Sequence, residues 1–177
     1  SLTIKEDKIL KVVKGYSGQY TTEMGPSDTT DKITWESDLP SVVSVNSNGS
    51  IIAKKVGIAK ITATTTSGIK VVHYVRVKLK KPTGVKLTKK SKKITKKKKS
   101  YSVTVKWTKN RNAVKYYVYR RLSTKSSYTR IATTTKPKYI DTKVKKNKKY
   151  YYKIKAIYSN TKLNSDKTPA YAIEIGK

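Results

Sequence analysis

The side chains that could carry acid–base or metal chemistry are few in this chain. His73 is the only histidine, and the 177 residues contain no cysteine. A lone imidazole without cysteines or clustered carboxylates cannot assemble a transition-metal site or a catalytic triad. Four acidic residues offer the oxygen ligands that calcium prefers, but their spacing matches no known calcium loop. They are Asp28, Asp31, Glu36 and Asp38. The sequence therefore predicts no catalytic residue, no metal and no cofactor.

Lysine dominates the chain and is unevenly distributed along it. Lys and Arg total 42 against 10 Asp and Glu, which gives a net charge of +32, and 37 of the 42 are Lys. Residues 1–79 carry a net +4, whereas residues 80–177 carry +28. Two runs hold much of this excess, with nine lysines in residues 86–99 and five in residues 143–149. The change in composition predicts a domain boundary near Pro82, a residue that suits a linker.

The two lysine runs have two interpretations. They are either the electrostatic footprint of a polyanion or a solvated, self-repelling surface that keeps a secreted protein soluble. Under the first interpretation, the partners would be anionic cell-wall polymers or acidic glycans. The residues predicted to bind them are Lys89, Lys90, Lys92, Lys93, Lys96, Lys97, Lys98, Lys99, Lys145, Lys146, Lys148 and Lys149.

Short alternating runs rich in Val, Ile, Thr and Tyr take the place of helical periodicity, and they predict β-strands. Residues 103–107 and 150–156 alternate in this way. Many short strands separated by turn signals predict an all-β fold of two immunoglobulin-like β-sandwiches in tandem, residues 1–79 and 80–177. No run of 18 apolar residues exists, so we expect no membrane span.

The first unit contains an ordered set of strand and turn motifs. They occupy residues 33–38, 41–45, 48–53, 56–64 and 74–77. On these motifs, residues 1–79 resemble the bacterial immunoglobulin-like domain family, group 2. Trp35 is then expected to supply a large buried ring between the sheets. The pair Asn48-Gly49 permits the positive φ angles of a tight hairpin.

The second unit resembles a fibronectin type III domain. The residues that fit its first three strands are Pro82, Val85 and Leu87, then Val103, Val105 and Trp107, then Tyr116, Val118 and Arg120. Residues 144–150 match the family's turn before the sixth strand. The resemblance therefore implies that Tyr150 is the tyrosine-corner residue, whose hydroxyl bonds back to the backbone. Residues 89–100 depart from the family pattern, because this connection is longer and far richer in lysine.

A tyrosine-and-lysine face follows from strand alternation within this resemblance. If Tyr116 and Tyr150 point inward, their sequence neighbours point outward from two adjacent strands of one sheet. The predicted face comprises Tyr117, Tyr119, Tyr151, Lys153 and Lys155. Flat aromatic rings flanked by cations can stack on sugar rings and hold phosphates or sulfates. The alternative is that these side chains only stabilise the sheet across its strands.

These features favour a non-catalytic extracellular module of a bacterial surface or secreted protein. The resemblances imply adhesion, cell-wall or polyanionic glycan binding, or a spacer role at the cell surface or wall, and the lack of cysteine fits a Gram-positive source. The chain begins at Ser1 without a signal peptide, so we expect a monomeric piece joined to other domains of a parent protein.

Two alternatives stay open. One is an accessory part of a larger secreted glycoside hydrolase or other enzyme. The other is nucleic-acid binding, which the scarcity of Arg and of recognition motifs disfavours.

Overall fold

The structure, a computed structural model, describes residues 1–27 and 29–176. Within these residues the chain forms sixteen β-strands and one short 3₁₀ helix, Thr161–Leu163. It divides into two compact units, residues 1–78 and 79–177. The predicted all-β fold of immunoglobulin-like sandwiches is confirmed.

The first unit is built from nine strands. They are β1 Leu2–Ile4, β2 Ile9–Val13, β3 Ser17–Gln19, β4 Thr22–Met24, β5 Ile33–Ser37, β6 Val43–Val45, β7 Ser50–Ala53, β8 Gly57–Thr65 and β9 Lys70–Lys78. The main sheet has the order β2-β9-β8-β5, with β2 and β9 parallel and the other pairs antiparallel. The sheets β3-β7-β6 and β1-β4 complete the unit.

Alternating burial along β8 and β9 explains why these sequences form the core of the first unit. Ile61 and Ala63 on β8, together with Val75 and Val77 on β9, are fully buried, while the residues between them reach the surface. This period of two is that of a strand with one face on the core. Val43 from β6 packs into the same cluster.

Trp35 lies at the margin of this core, which corrects the expectation that it would be buried between the sheets. It is only partly buried and packs against the core from β5. The fully enclosed aromatic ring is that of Tyr20, on which Trp35 stacks with ring centroids 5.3 Å apart. On its other side Trp35 meets Gly49, where an added Cβ would stand 2.9 Å from the indole. The indole therefore closes the hydrophobic core against solvent.

The second unit is built from seven strands. They are β10 Lys86–Lys93, β11 Lys99–Lys106, β12 Lys115–Leu122, β13 Thr129–Thr134, β14 Lys138–Asp141, β15 Lys148–Ile157 and β16 Tyr171–Ile175. A three-stranded sheet, β10-β11-β14, faces a four-stranded sheet, β13-β12-β15-β16, and all pairs are antiparallel.

The core of the second unit holds the predicted aromatic residues. Trp107 is 5% exposed and meets the ring of Tyr116 edge-on, with centroids 5.2 Å apart. Tyr152 and Ile154 on β15 are fully buried, as alternation predicted. Tyr150 is buried, and its hydroxyl accepts a hydrogen bond of 3.0 Å from the Lys145 backbone N–H. This bond closes the turn before β15.

Candidate anion-binding surface

The first lysine run, which departs from the family pattern in length and lysine content, forms a β-hairpin. Strands β10 and β11 pair without interruption to the last pair, Lys93↔Lys99, and the tip is closed by the bond from Lys98 N to Thr95 O. Every residue from 91 to 100 is exposed. Lysine has a low intrinsic strand preference, so the register is set instead by Leu87 opposite Val105, where the hairpin meets the core. We call residues 89–99 the lysine hairpin.

The second lysine run is a fixed turn. Its central residue, Asn147, has φ of 57°, a left-handed conformation that asparagine tolerates. The Asn147 N–H donates to the Ile175 carbonyl, and Val144 is buried beneath the turn. The flanking lysines Lys145, Lys146, Lys148 and Lys149 all lie exposed. The turn therefore presents four cations on a rigid backbone.

The fold brings the two lysine runs together, although about fifty residues separate them in sequence. Lys146 lines the same depression, of about 400 Å³, as the hairpin tip and Tyr101. The hairpin residues that line it are Lys96, Lys97, Lys98 and Lys99. Five ammonium groups around one concavity make this part of the surface strongly electropositive, and ions of opposite sign concentrate there.

The residues of the predicted aromatic face lie on one outward surface of the four-stranded sheet. Tyr117 stands opposite Lys155, Tyr119 opposite Lys153, and Arg121 opposite Tyr151 along β12 and β15. The five predicted residues are each partly exposed. Tyr117 and Tyr119 meet edge to face with centroids 6.5 Å apart. Burial raises the pKa of the Tyr119 phenol, against a smaller opposing effect of Arg130, so the phenol stays protonated at neutral pH.

Cations from distant parts of the chain cover these rings, which sequence reasoning missed. Arg130 lies 4.5 Å from the centroid of Tyr117, Lys167 lies 4.1 Å from that of Tyr119, and Arg121 lies 4.2 Å from that of Tyr151. Such contacts are worth about 0.5–1 kcal/mol each at exposed sites. A ligand that approaches this face therefore contacts the cations first, because they lie over the tyrosine rings.

An open cleft of about 580 Å³ lies between the β12–β13 connection and the turn before β15. Among the described residues that line it, none is acidic and six are cations, namely Arg120, Arg121, Lys125, Lys143, Lys145 and Lys148. The hydroxyl residues Ser127 and Thr129 complete its polar lining. Lys145 and Lys148 were predicted as site residues. Lys143 belongs to the second lysine run but was not among the predicted site residues, and Arg120, Arg121 and Lys125 come from segments without a lysine run.

A buried ion pair supports the floor of this cleft. Arg120 Nη1 donates to both carboxylate oxygens of Asp141 and to the Lys143 carbonyl, and the Tyr152 hydroxyl donates to Asp141 Oδ2 at 2.7 Å. Burial acts to lower the pKa of Arg120, but the hydrogen bond and the charge of Asp141 outweigh it and raise that pKa. Burial, followed by Asp141, raises the pKa of Tyr152. Arg120 is thus charge-balanced within the fold.

Three of the residues first considered for metal or acid–base chemistry, Asp31, Asp38 and His73, have structural partners. Asp31 accepts hydrogen bonds from Ser67 Oγ and Thr66 Oγ1, which lower its pKa, and Asp38 accepts one from the Lys60 N–H. Asp28 lies outside the described residues. His73 is 5% exposed and packs edge-on against Tyr20. Within residues 1–27 and 29–176, no three His, Cys, Asp or Glu side chains gather where they could hold a metal.

The fold defines the chain as a pair of immunoglobulin-like β-sandwiches, and comparison with known proteins identifies the first. Residues 1–75 match the family model of the bacterial Ig-like domain (group 2). The first unit therefore matches that family over nearly its whole length, as its motifs predicted. Among the helices in the described part of the chain, none is long and apolar enough to cross a membrane.

Two curated relatives share one short segment each with this chain. Lacto-N-biosidase of Bifidobacterium bifidum is 39% identical over 59 residues, which are 33% of this chain and 5% of that protein. An uncharacterised protein of Clostridium acetobutylicum is 41% identical over 59 residues, again 33% of this chain and 15% of that protein. The chain thus spans only a small fraction of the length of these relatives.

A solved structure matches the chain along nearly its whole length. The two-domain fibronectin type III segment of chicken tenascin covers 98% of this chain, and 97% of that segment is matched, with a TM-score of 0.57 and 12% identity. At this identity the likeness concerns the fold. The bacterial Ig-like and fibronectin type III domain types are typically non-catalytic modules, and they occur in extracellular bacterial proteins.

Proposed function

We propose that the chain is a non-catalytic extracellular module of a bacterial surface or secreted protein that binds anionic cell-wall polymers or acidic glycans. In that role it acts in adhesion or wall attachment and as a spacer between other domains of its parent protein. The observation that carries the proposal is the convergence of the lysine hairpin and Lys146 on one depression of the second unit.

Electrostatic screening explains why this convergence matters more than total charge. At 0.1 M salt the Debye length is about 10 Å, so only cations close to one another act on the same stretch of ligand. The lysine hairpin and the turn before β15 meet this condition, whereas the first unit, with its net +4 over residues 1–79, does not. Lysines act as mobile point charges, so we expect little selectivity among polyanions and a steep loss of affinity with salt.

The aromatic face adds a second element to this proposal. Arg130 and Lys167 are held over Tyr117 and Tyr119, so their positions are restricted more than those of a free lysine. Restricted groups lose less conformational freedom when they bind a ligand. Stacking of a sugar on the tyrosine rings releases no counterions, so we assign to this face the part of glycan binding that survives at high salt.

One alternative has a specific observation in its favour. The similarity to a segment of Lacto-N-biosidase fits an accessory module of a larger secreted glycoside hydrolase, in which the same surface would hold an anionic substrate near a catalytic domain. The domains that accompany this module in the full-length gene product distinguish the two. A wall anchor or surface repeat favours attachment, and a catalytic domain favours the accessory role.

The proposal is tested on the whole chain with two charge-matched variants. The first changes four lysines of the hairpin to Gln, namely Lys92, Lys93, Lys97 and Lys98. The second changes four exposed lysines of the first unit to Gln, namely Lys11, Lys14, Lys54 and Lys55. Both variants lose four positive charges. A difference in affinity between them therefore comes from the position of the lysines and not from the net charge.

Binding of teichoic acid and of heparin is measured by titration calorimetry at low and high salt. We expect the hairpin variant to bind at least tenfold more weakly at low salt. Its affinity should also depend less on salt, because binding through fewer lysines releases fewer counterions from the polymer. The first-unit variant should bind within twofold of the unchanged chain. Equal losses in both variants would contradict the proposal.

A further inference from the structure

The cleft beneath the β12–β13 connection differs from the lysine hairpin in how its cations are held. Arg121 Nη1 donates to the Lys125 carbonyl at 2.8 Å. Its guanidinium lies 4.2 Å from the ring centroid of Tyr151 and 5.4 Å from that of Tyr128. The guanidinium plane is therefore fixed by two aromatic rings and a backbone oxygen, in contrast to an exposed lysine.

Arg121 also keeps its charge available. Arg120, its neighbour in sequence, is neutralised by Asp141 below the cleft floor. Among the described residues, no carboxylate forms an ion pair with Arg121. Asp and Glu are likewise missing from the residues that line the cleft. Arg121 therefore stands at the edge between the cleft and the outward face of the four-stranded sheet, as an oriented and unneutralised guanidinium beside the lysines of the cleft.

We propose that this cleft is a subsite for one tetrahedral oxyanion, the phosphodiester or sulfate ester of an anionic glycan. Arg121 is the orienting donor, and Lys125, Lys145 and Lys148 supply charge from two further segments. The inference rests on the proposed glycan binding and names the group that the second unit selects. The cleft then distinguishes one anionic group from another, whereas the lysine hairpin attracts any polyanion.

The geometry of the donors favours a tetrahedral anion over a carboxylate. A planar carboxylate is satisfied by a guanidinium fork from one side. The cleft presents cations from β12, from the β12–β13 connection and from the turn before β15, as well as the hydroxyls of Ser127 and Thr129. Donors that approach from several directions match an anion whose oxygens also point in several directions. At about 580 Å³ the cleft has room for a sugar ring beside the charged group.

Monomeric probes test the cleft without the multivalency of a polymer. The whole chain is titrated with glucose 6-(methyl phosphate), which is a phosphodiester, and with glucose 6-sulfate, glucuronate and glucose, and the arginine Nε–H signals are followed by NMR. Only five arginines contribute to that spectrum. We expect a saturable shift of the Arg121 signal with the phosphate and the sulfate, at least fivefold weaker binding of glucuronate, and no shift with glucose. The stronger of the two esters identifies the preferred source of the oxyanion.

Conservative variants separate orientation from charge. Arg121→Lys keeps the charge and loses the fork, so it should bind both esters at least fivefold more weakly. Arg111→Lys, at an exposed arginine outside the cleft, should bind as the unchanged chain does. Tyr151→Phe keeps the ring under Arg121 and should bind normally, whereas Tyr151→Leu should bind at least threefold more weakly. Circular dichroism spectra and thermal melts confirm that the variants are folded.

Two outcomes distinguish failure of this inference from failure of the proposed function. If Arg121→Lys binds both esters unchanged, the subsite is refuted, and the loss of polymer binding in the hairpin variant still supports the general proposal. If neither the hairpin variant nor Arg121→Lys affects binding of teichoic acid or heparin, both proposals are refuted.

Discussion

Arg120 Nη1 lies 2.7 Å from Asp141 Oδ2 and 3.0 Å from Oδ1, at a position where Asp141 is only 1% exposed. The pair joins β12 in one sheet to β14 in the other. Asp141 also accepts hydrogen bonds from the Tyr152 hydroxyl and the Lys143 N–H. Each of its two carboxylate oxygens therefore accepts two hydrogen bonds. Among the described residues of this strongly positive unit, Asp141 is the only buried carboxylate.

We predict that Asp141→Asn destabilises the second unit by about 3–5 kcal/mol, because removing one partner of a buried pair leaves the other charge uncompensated. The comparison is Glu174→Gln, which removes the same charge from an exposed position and should cost less than about 0.5 kcal/mol. Urea unfolding followed by Trp107 fluorescence measures both. Similar costs for the two variants would show that Asp141 acts only through net charge.

The tyrosine corner gives a smaller and more local prediction. Tyr150→Phe removes the acceptor of the Lys145 N–H and keeps the buried ring, so it should cost about 0.5–1.5 kcal/mol. Tyr158→Phe is the matched control, since within the described residues the hydroxyl of this partly exposed tyrosine has no hydrogen-bond partner. Faster amide exchange at Lys145 and Asn147 in the Tyr150 variant would locate the effect in the turn. An unchanged exchange rate there would contradict this account.

Local alternation was enough to predict the directions of side chains within strands. Tyr116 and Tyr152 point inward, and Tyr117 and Tyr151 point outward, because the period of two is a property of the backbone itself. The family motifs added the pairing of strands and the tyrosine corner. These are features that depend on residues close in sequence or on a known topology.

Contacts between distant segments were beyond such reasoning. Nothing in the residues around Asp141 indicates that Arg120 will meet it across the sandwich, or that Lys167 will lie over Tyr119. The lysine hairpin was not predicted as paired strands, because residues 89–100 depart from the family pattern, and its regular pairing is seen only in the structure. Trp35 was expected inside because of its size, but Tyr20 occupies the interior and leaves the indole at the margin.

Gly49 tests the close approach of the backbone to Trp35. Gly49 has φ of +75° and its added Cβ would stand 2.9 Å from the indole, whereas Gly68 has φ of +88° with no atom within 4 Å. Gly68→Ala therefore reports backbone strain alone, about 1–2 kcal/mol. Gly49→Ala adds a steric clash, for about 1–3 kcal/mol more. Thermal unfolding of both variants gives the difference, and equal costs would mean that Trp35 moves aside freely.

His73 makes the first unit sensitive to mild acid. Burial lowers its pKa from the ordinary 6.5, against smaller opposing effects of the Asp7 backbone and Glu6. The unfolded chain then binds more protons than the folded unit below pH 6.5, so stability rises with pH in this window. The contribution is fully present above pH 6.5 and is lost as the pH falls through the lowered pKa of the folded state.

We therefore expect the first unit to lose stability between pH 7 and pH 5 and His73→Gln to abolish that dependence. The charged neighbours Glu6 and Lys8 are unchanged in this variant, so it isolates the imidazole. Asp31, whose pKa is lowered from 3.8 by hydrogen bonds from Ser67 and Thr66, acts only at lower pH. Urea unfolding is followed at the NMR signals of β8 and β9. A slope that persists in the Gln variant would assign the effect to another group.

The aromatic face yields a prediction about the kind of polyanion that the second unit prefers. Tyr117 and Tyr119 lie away from the Arg121 cleft, so the double change Tyr117→Ala and Tyr119→Ala leaves that cleft intact. Ring stacking requires a sugar, whereas charge attraction does not. We expect the variant to lose about 1 kcal/mol of heparin binding per ring at high salt, the lower end for stacking, because Arg130 and Lys167 must first be displaced. Binding of inorganic polyphosphate, which has no sugar, should fall by less than twofold. Equal losses for the two polymers would mean that the tyrosines only hold their cations in place, and the face would then be purely electrostatic.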